Sequence, residues 1–169
     1  MRLLTLLFLF GGTFLVAISC STKFNHSYQI SEEYDQSDKR TYFRLQRIRV
    51  IEESSPSYRT LDFSPYLVRS ARSNEDAAYL LFYGSDKASY NKAHLEISAA
   101  GEEIELMPED FGHSVDEESG AVLLYKLSLE KFQRVVSAEE IKMRLGDARF
   151  QMKAQELEAM RDLYHRAAS

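Results

Sequence analysis

Glu140-Ile141-Lys142-Met143-Arg144-Leu145-Gly146-Asp147-Ala148-Arg149-Phe150-Gln151-Met152 reads as two strands and a turn. Ile141, Met143 and Leu145 alternate with Glu140, Lys142 and Arg144; after Gly146-Asp147, the apolar Ala148, Phe150 and Met152 alternate with Arg149 and Gln151. A period of two sends successive side chains to opposite faces of a strand. If Gly146-Asp147 is a two-residue turn, Leu145 meets Ala148, Met143 meets Phe150 and Ile141 meets Met152, all on one side. A slip of one residue would turn apolar side chains into water, so the register is strongly specified.

Working outward, Ala154 to Ala168 places Leu157, Met160, Tyr164 and Ala167 at helical spacing. Upstream, Ser128 caps a short helix whose Leu129, Phe132, Val135 and Val136 share a face, with Leu127 placed to staple against Phe132. Residues 122–127 read as an apolar strand. His94-Leu95-Glu96-Ile97 and Ile104-Glu105-Leu106 flank Ala99-Ala100-Gly101 as a hairpin, and residues 77–83 have the continuous apolar look of a central strand. Residues 58–71 are extended but interrupted by Pro65, which suits an edge position or a bend. Phe43 and Leu45 alternate out of phase with Ile48 and Val50; one extra residue near Gln46-Arg47, a bulge, restores a common face. Strands in the middle and helices late predict an α+β domain over residues 39–169. Its mainly antiparallel sheet is covered by the C-terminal helix, with a β-sandwich as the alternative.

Composition sets the outer bounds. With 169 residues, 44% hydrophobic and 28% charged, the chain can bury a core and is neither low-complexity nor wholly disordered. A formal net charge of -5 argues against nucleic acid as a partner, since phosphate binding wants an excess of cations. A single cysteine, Cys20, excludes an internal disulfide scaffold.

Before Cys20 the chain runs Met1-Arg2 and then Leu3 through Ser19 without a further charge, with small residues near the end. A basic start, an apolar segment and small residues ahead of a cysteine are the layout of an export signal. As a permanent membrane span the run is marginal, because about 20 apolar residues are needed and Gly11-Gly12 weakens this one. Ala17-Ile18-Ser19-Cys20 resembles the lipobox of bacterial lipoprotein precursors. That resemblance implies removal of residues 1–19 as a signal peptide, transfer of diacylglyceryl to the Cys20 thiol, and acylation of the new amino group, palmitate being a typical chain. It also implies a membrane-lipid partner held through Cys20. Ser21 in the next position leans toward the outer membrane, facing the periplasm. The resemblance says nothing about the fold that follows. Residues 21–38 are rich in Ser, Asp and Glu. With Cys20 they read as a lipidated N-terminus and flexible tether, with a reach of roughly 20–25 Å.

Chemical candidates are few. Gly112-His113-Ser114-Val115-Asp116 shares only part of the Gly-x-Ser-x-Gly nucleophile elbow, with Asp116 where the closing Gly belongs. His26, His94, His113 and His165 are far apart and form no His-x-x-x-His pair, so no metal site is expected. Residues 102–118 hold eight carboxylates and no Lys or Arg, a candidate for calcium without the alternating ligand loop that calcium favours. No Gly-rich loop precedes a helix, so no nucleotide or other cofactor is expected.

Two surface features remain. Lys39, Arg40, Arg44, Arg47 and Arg49 form a basic stretch, and Lys142, Arg144 and Arg149 project from the outer side of the late hairpin. Either an anionic surface or the protein's own acids satisfies them, and the second reading is preferred. Tyr58, Tyr66, Tyr79, Tyr83 and Tyr90 crowd one stretch, suiting an interface or an ordinary sheet face. The resulting expectation is a lipid-anchored protein of the bacterial cell envelope, a non-catalytic structural or interaction module with an envelope protein as partner. A module binding a lipid or small apolar ligand is the alternative, and an unrecognised hydrolase the third.

Overall fold

The alternating stretches pair into two antiparallel sheets in the computed structural model, which describes residues 24–53, 60–71, 76–84, 94–109 and 121–169. The larger sheet contains β1 (Ile30–Asp35), β2 (Arg40–Leu45), β3 (Ile48–Ile51), β4 (Thr60–Ser70), β5 (Ala77–Gly84) and β8 (Ala121–Ser128), in the order β1-β2-β4-β5-β8 with β3 also on β4. The smaller is β10-β9-β6-β7, from β6 (Leu95–Ala99), β7 (Glu102–Leu106), β9 (Ile141–Leu145) and β10 (Ala148–Gln151). Helices α1 (Leu129–Ser137) and α2 (Ala154–Ala168) complete an α+β architecture.

The late hairpin adopts the register its pattern predicts. Leu145 faces Ala148, Met143 faces Phe150, and the Met152 N–H donates to the Ile141 carbonyl at 3.1 Å. Gly146 has φ +59°, the conformation required at the first centre of a type II′ turn. The β6–β7 hairpin turns through Ala100 (φ +52°) and Gly101 (φ +79°), so both centres are left-handed as in a type I′ turn. The bulge also forms. Arg44 is opposite Tyr66 and Ile48 opposite Phe63, so Leu45, Gln46 and Arg47 stand against Ser64 and Pro65 alone. Phe43, Leu45, Ile48 and Val50 are consequently all buried.

Two expectations need correction. Pro65 lies in an inner strand, opposite Leu80, not at an edge. It sits beside the bulge, where the ladder toward β2 and β3 is interrupted and a residue lacking an N–H is tolerated. The tether expected over residues 21–38 contains β1, paired with β2 from Ile30↔Leu45 to Asp35↔Arg40. Its polar side chains misled because an edge strand is held by backbone bonds and needs no apolar alternation where water reaches it. The connecting turn is fastened by its own acids. Asp35 Oδ1 accepts from the Ser37 N–H at 2.8 Å, and Asp38 Oδ1 from the Arg40 N–H at 3.0 Å.

Side chains of both sheets share one core, in which Phe63, Phe82, Tyr125 and Phe132 are fully buried alongside Leu95, Ile97 and Phe150. The sheets are tied at two seams. The Glu53 N–H donates to the Arg149 carbonyl at 2.9 Å, and the Glu109 N–H to the Leu124 carbonyl at 2.8 Å. Helix α1, capped by Ser128 Oγ accepting from the Lys131 N–H at 3.2 Å, packs on β5, β6 and β8. Helix α2 lies against β2, β4 and α1, burying Leu157, Met160, Leu163 and Ala167. Its first turn is closed by the Lys153 N–H donating to Glu156 Oε2 at 2.7 Å.

Candidate functional site

On the larger sheet, residues opposite one another share a face, and one cross-strand row reads Arg44, Tyr66, Tyr79, Lys126. This row lies on the face turned away from Phe43, Phe63 and Phe82. The rings of Tyr66 and Tyr79 stack at 4.8 Å with 9° between their planes. Arg44 Cζ stands 5.8 Å from the Tyr66 centroid, and Lys126 Nζ 5.9 Å from that of Tyr79. Two rows further along the same face, Arg47 lies over Tyr83 at 3.9 Å, an orientation made available by the bulge that carries it. Arg49 grips Asp62 with two bonds of 2.7 and 2.9 Å. Tyr42 donates to Asp38 Oδ2 at 2.7 Å.

Electrostatics keep this face neutral in its rings and cationic at its margins. Burial, reinforced by Tyr79, pushes the Tyr66 phenol up to about 12, and the bond to Asp38 raises that of Tyr42. Hydrogen bonding to Arg49 holds the Asp62 carboxyl below its ordinary value. Protonated phenols and guanidinium groups are hydrogen-bond donors. The arrangement sets phenol and guanidinium donors beside stacked apolar rings on one sheet face.

The outer side of the smaller sheet is a groove of about 560 Å³ lined by Glu53, Glu96, Glu103, Lys142, Arg144 and Arg149 among others. Arg144 and Arg149 are direct cross-strand neighbours, as the hairpin pattern predicts. Their repulsion is relieved from the opposite side, where Glu96 faces Arg144 and its carboxylate takes both guanidinium contacts, one of them 2.8 Å. Glu140 accepts from Gln151 at 2.6 Å and lies 3.4 Å from Lys142 Nζ. Arg144 and Lys142 are thus met by the protein's own acids.

A third cluster lies under the N-terminal residues. His26 Nε2 is 3.1 Å from Asp162 Oδ2, with both side chains nearly buried, and Arg166 donates to the two Asp162 oxygens at 3.1 Å each. Phe24 packs at 5.8 Å from the His165 ring, and burial raises the Tyr28 phenol and the Glu156 carboxyl.

The other sequence candidates fall as follows. His94 is exposed, with Nδ1 2.7 Å from Glu105 Oε1. Glu102 approaches Arg134 at 3.4 Å. Among the described residues, no group of three or more His, Cys, Asp or Glu side chains could hold a metal ion. Cys20, Tyr58, Tyr90, residues 112–116 and the acidic residues 110–118 lie outside the described residues. Among those described, no helix is long and apolar enough to cross a membrane. Sequence reasoning missed Tyr42 and Lys126 as members of the aromatic face, although strand parity was the signal that could have found them. His26 and Asp162, 136 residues apart, had no signal linking them. No protein-family model, curated protein or solved structure matches the chain.

Proposed function

We propose that this chain is a lipid-anchored protein of the bacterial cell envelope, a non-catalytic structural or interaction module held on a membrane through acylated Cys20. The observation that carries the reading is the placement of the only cysteine, at the end of an uncharged apolar run and behind Ala17-Ile18-Ser19. Each buried methylene contributes about 0.8 kcal/mol, so two or three acyl chains hold a protein of this size on a bilayer with little exchange. The outer membrane, periplasmic side, is the location favoured by Ser21. The aromatic and cationic face around Tyr66 and Tyr79 supports an interaction role, because its donors and rings are fixed on a sheet and not on a loop. An envelope protein is the partner class proposed.

Intact mass of the chain purified from bacterial membranes tests the anchor. The expected species begins at Cys20 and carries the mass of a diacylglyceryl group and an amide-linked acyl chain. Cys20→Ala should abolish that mass increase and the membrane association. A chain with an unmodified residue 20 in the membrane fraction would overturn the reading.

A further inference from the structure

Between Cys20 and Phe24 only three residues intervene. From Phe24 onward the chain is bound to the domain, and it runs beside α2 toward that helix's C-terminal end. Tyr28 is close enough to feel the Glu156 carboxylate in the first turn of α2; His26 meets Asp162, and Phe24 meets His165 near the last turn. The contacts advance along the helix as the chain runs backward toward Cys20. Downstream, the Gln46 N–H donates to the Gln29 carbonyl at 2.9 Å and the Gln29 N–H to Gln46 Oε1 at 2.9 Å, after which β1 begins.

From this we infer that residues 24–29 are a strap, and that the acyl chains of Cys20 hold the α2 C-terminal end of the domain against a phospholipid bilayer. The inference rests on acylation of Cys20. Four Cα steps at full extension span at most about 14 Å. The backbone of the acylated Cys20 therefore stays within that distance of Phe24. The end of the molecule it brings to the bilayer is well defined: Arg69 Nη1 donates to the Ala167 carbonyl at 2.7 Å, and the Ala71 N–H to the Lys39 carbonyl at 3.1 Å. The end of α2, the end of β4 and the β1–β2 turn thus lie together. The Gly146-Asp147 turn is at the other end of the domain, where the Glu53–Arg149 seam closes beyond the Thr60 end of β4. An eleven-residue strand separates the two ends, a length of about 36 Å.

The test uses the acylated full-length chain on phosphatidylethanolamine–phosphatidylglycerol vesicles that contain a headgroup-spin-labelled lipid. Acylation leaves no free thiol, so a fluorophore is attached at Ser169→Cys or at Asp147→Cys. The label at 169 should lose most of its emission and that at 147 should keep it. Ten Gly/Ser residues inserted between Ser21 and Thr22 lengthen the connection without touching the strap, and should abolish the difference. Equal quenching at the two sites in protein that floats with the vesicles overturns the strap while leaving the anchor standing. A difference that survives the insertion also overturns it, because the orientation would then owe nothing to a short connection. Failure of the unmodified chain to float overturns the anchor and the strap with it.

Discussion

Tyr66 and Tyr79, directly opposite on neighbouring strands, stack at 4.8 Å with nearly parallel rings, and each carries a cation on its outer side. The row is continuous across four strands because Arg44, Tyr66, Tyr79 and Lys126 occupy matching register positions.

A double-mutant cycle with Tyr66→Ala and Tyr79→Ala, followed by denaturant unfolding, should give a coupling of about 0.5–1.5 kcal/mol beyond the loss of buried area. Additive losses would mean that the stack contributes nothing of its own. The same site makes a pH prediction. The Tyr66 phenol is raised from 10.0 to about 12, chiefly by burial. The folded state therefore holds its proton where the unfolded chain releases it. Its contribution is fully present below pH 10 and is lost as pH rises through about 12. Tyr66→Phe, which keeps a ring in the stack, should flatten that part of the stability–pH curve.

Glu96 neutralises a like-charge pair that the β9–β10 register creates. Glu96→Gln leaves Arg144 facing Arg149 without its carboxylate, and should lower Tm at low ionic strength. The deficit should shrink in about 1 M salt, where the Debye length is about 3 Å. A salt-independent loss would point to packing and not to charge.

The β6–β7 turn demands left-handed backbone at Ala100, a residue with a Cβ to clash there. Ala100→Gly or Ala100→Asn should stabilise the protein by about 0.5–1 kcal/mol in thermal or denaturant unfolding. Gly101→Ala should destabilise it by a comparable amount. A Cβ at 101 would meet nothing within 4 Å, so the cost there is conformational.

Local pattern alone determined a good deal of this protein. The turn at Gly146-Asp147, the bulge at residues 45–47, the Ser128 cap and the two hairpins were all legible, because each depends on residues near one another in the chain and on a period of 2 or 3.6. The single cysteine at the end of an apolar run was equally plain, since both features lie in adjacent residues. Tertiary structure decided the rest. Polar residues 30–35 became a strand because β2 offered an unpaired edge, and Pro65 found an inner strand because a bulge on its neighbour had opened the ladder. The aromatic row required four strands to align, and the strap required His26 to meet Asp162 across most of the chain. No side-chain period records such meetings, because they are set by how finished elements pack and not by the neighbours each residue has in sequence.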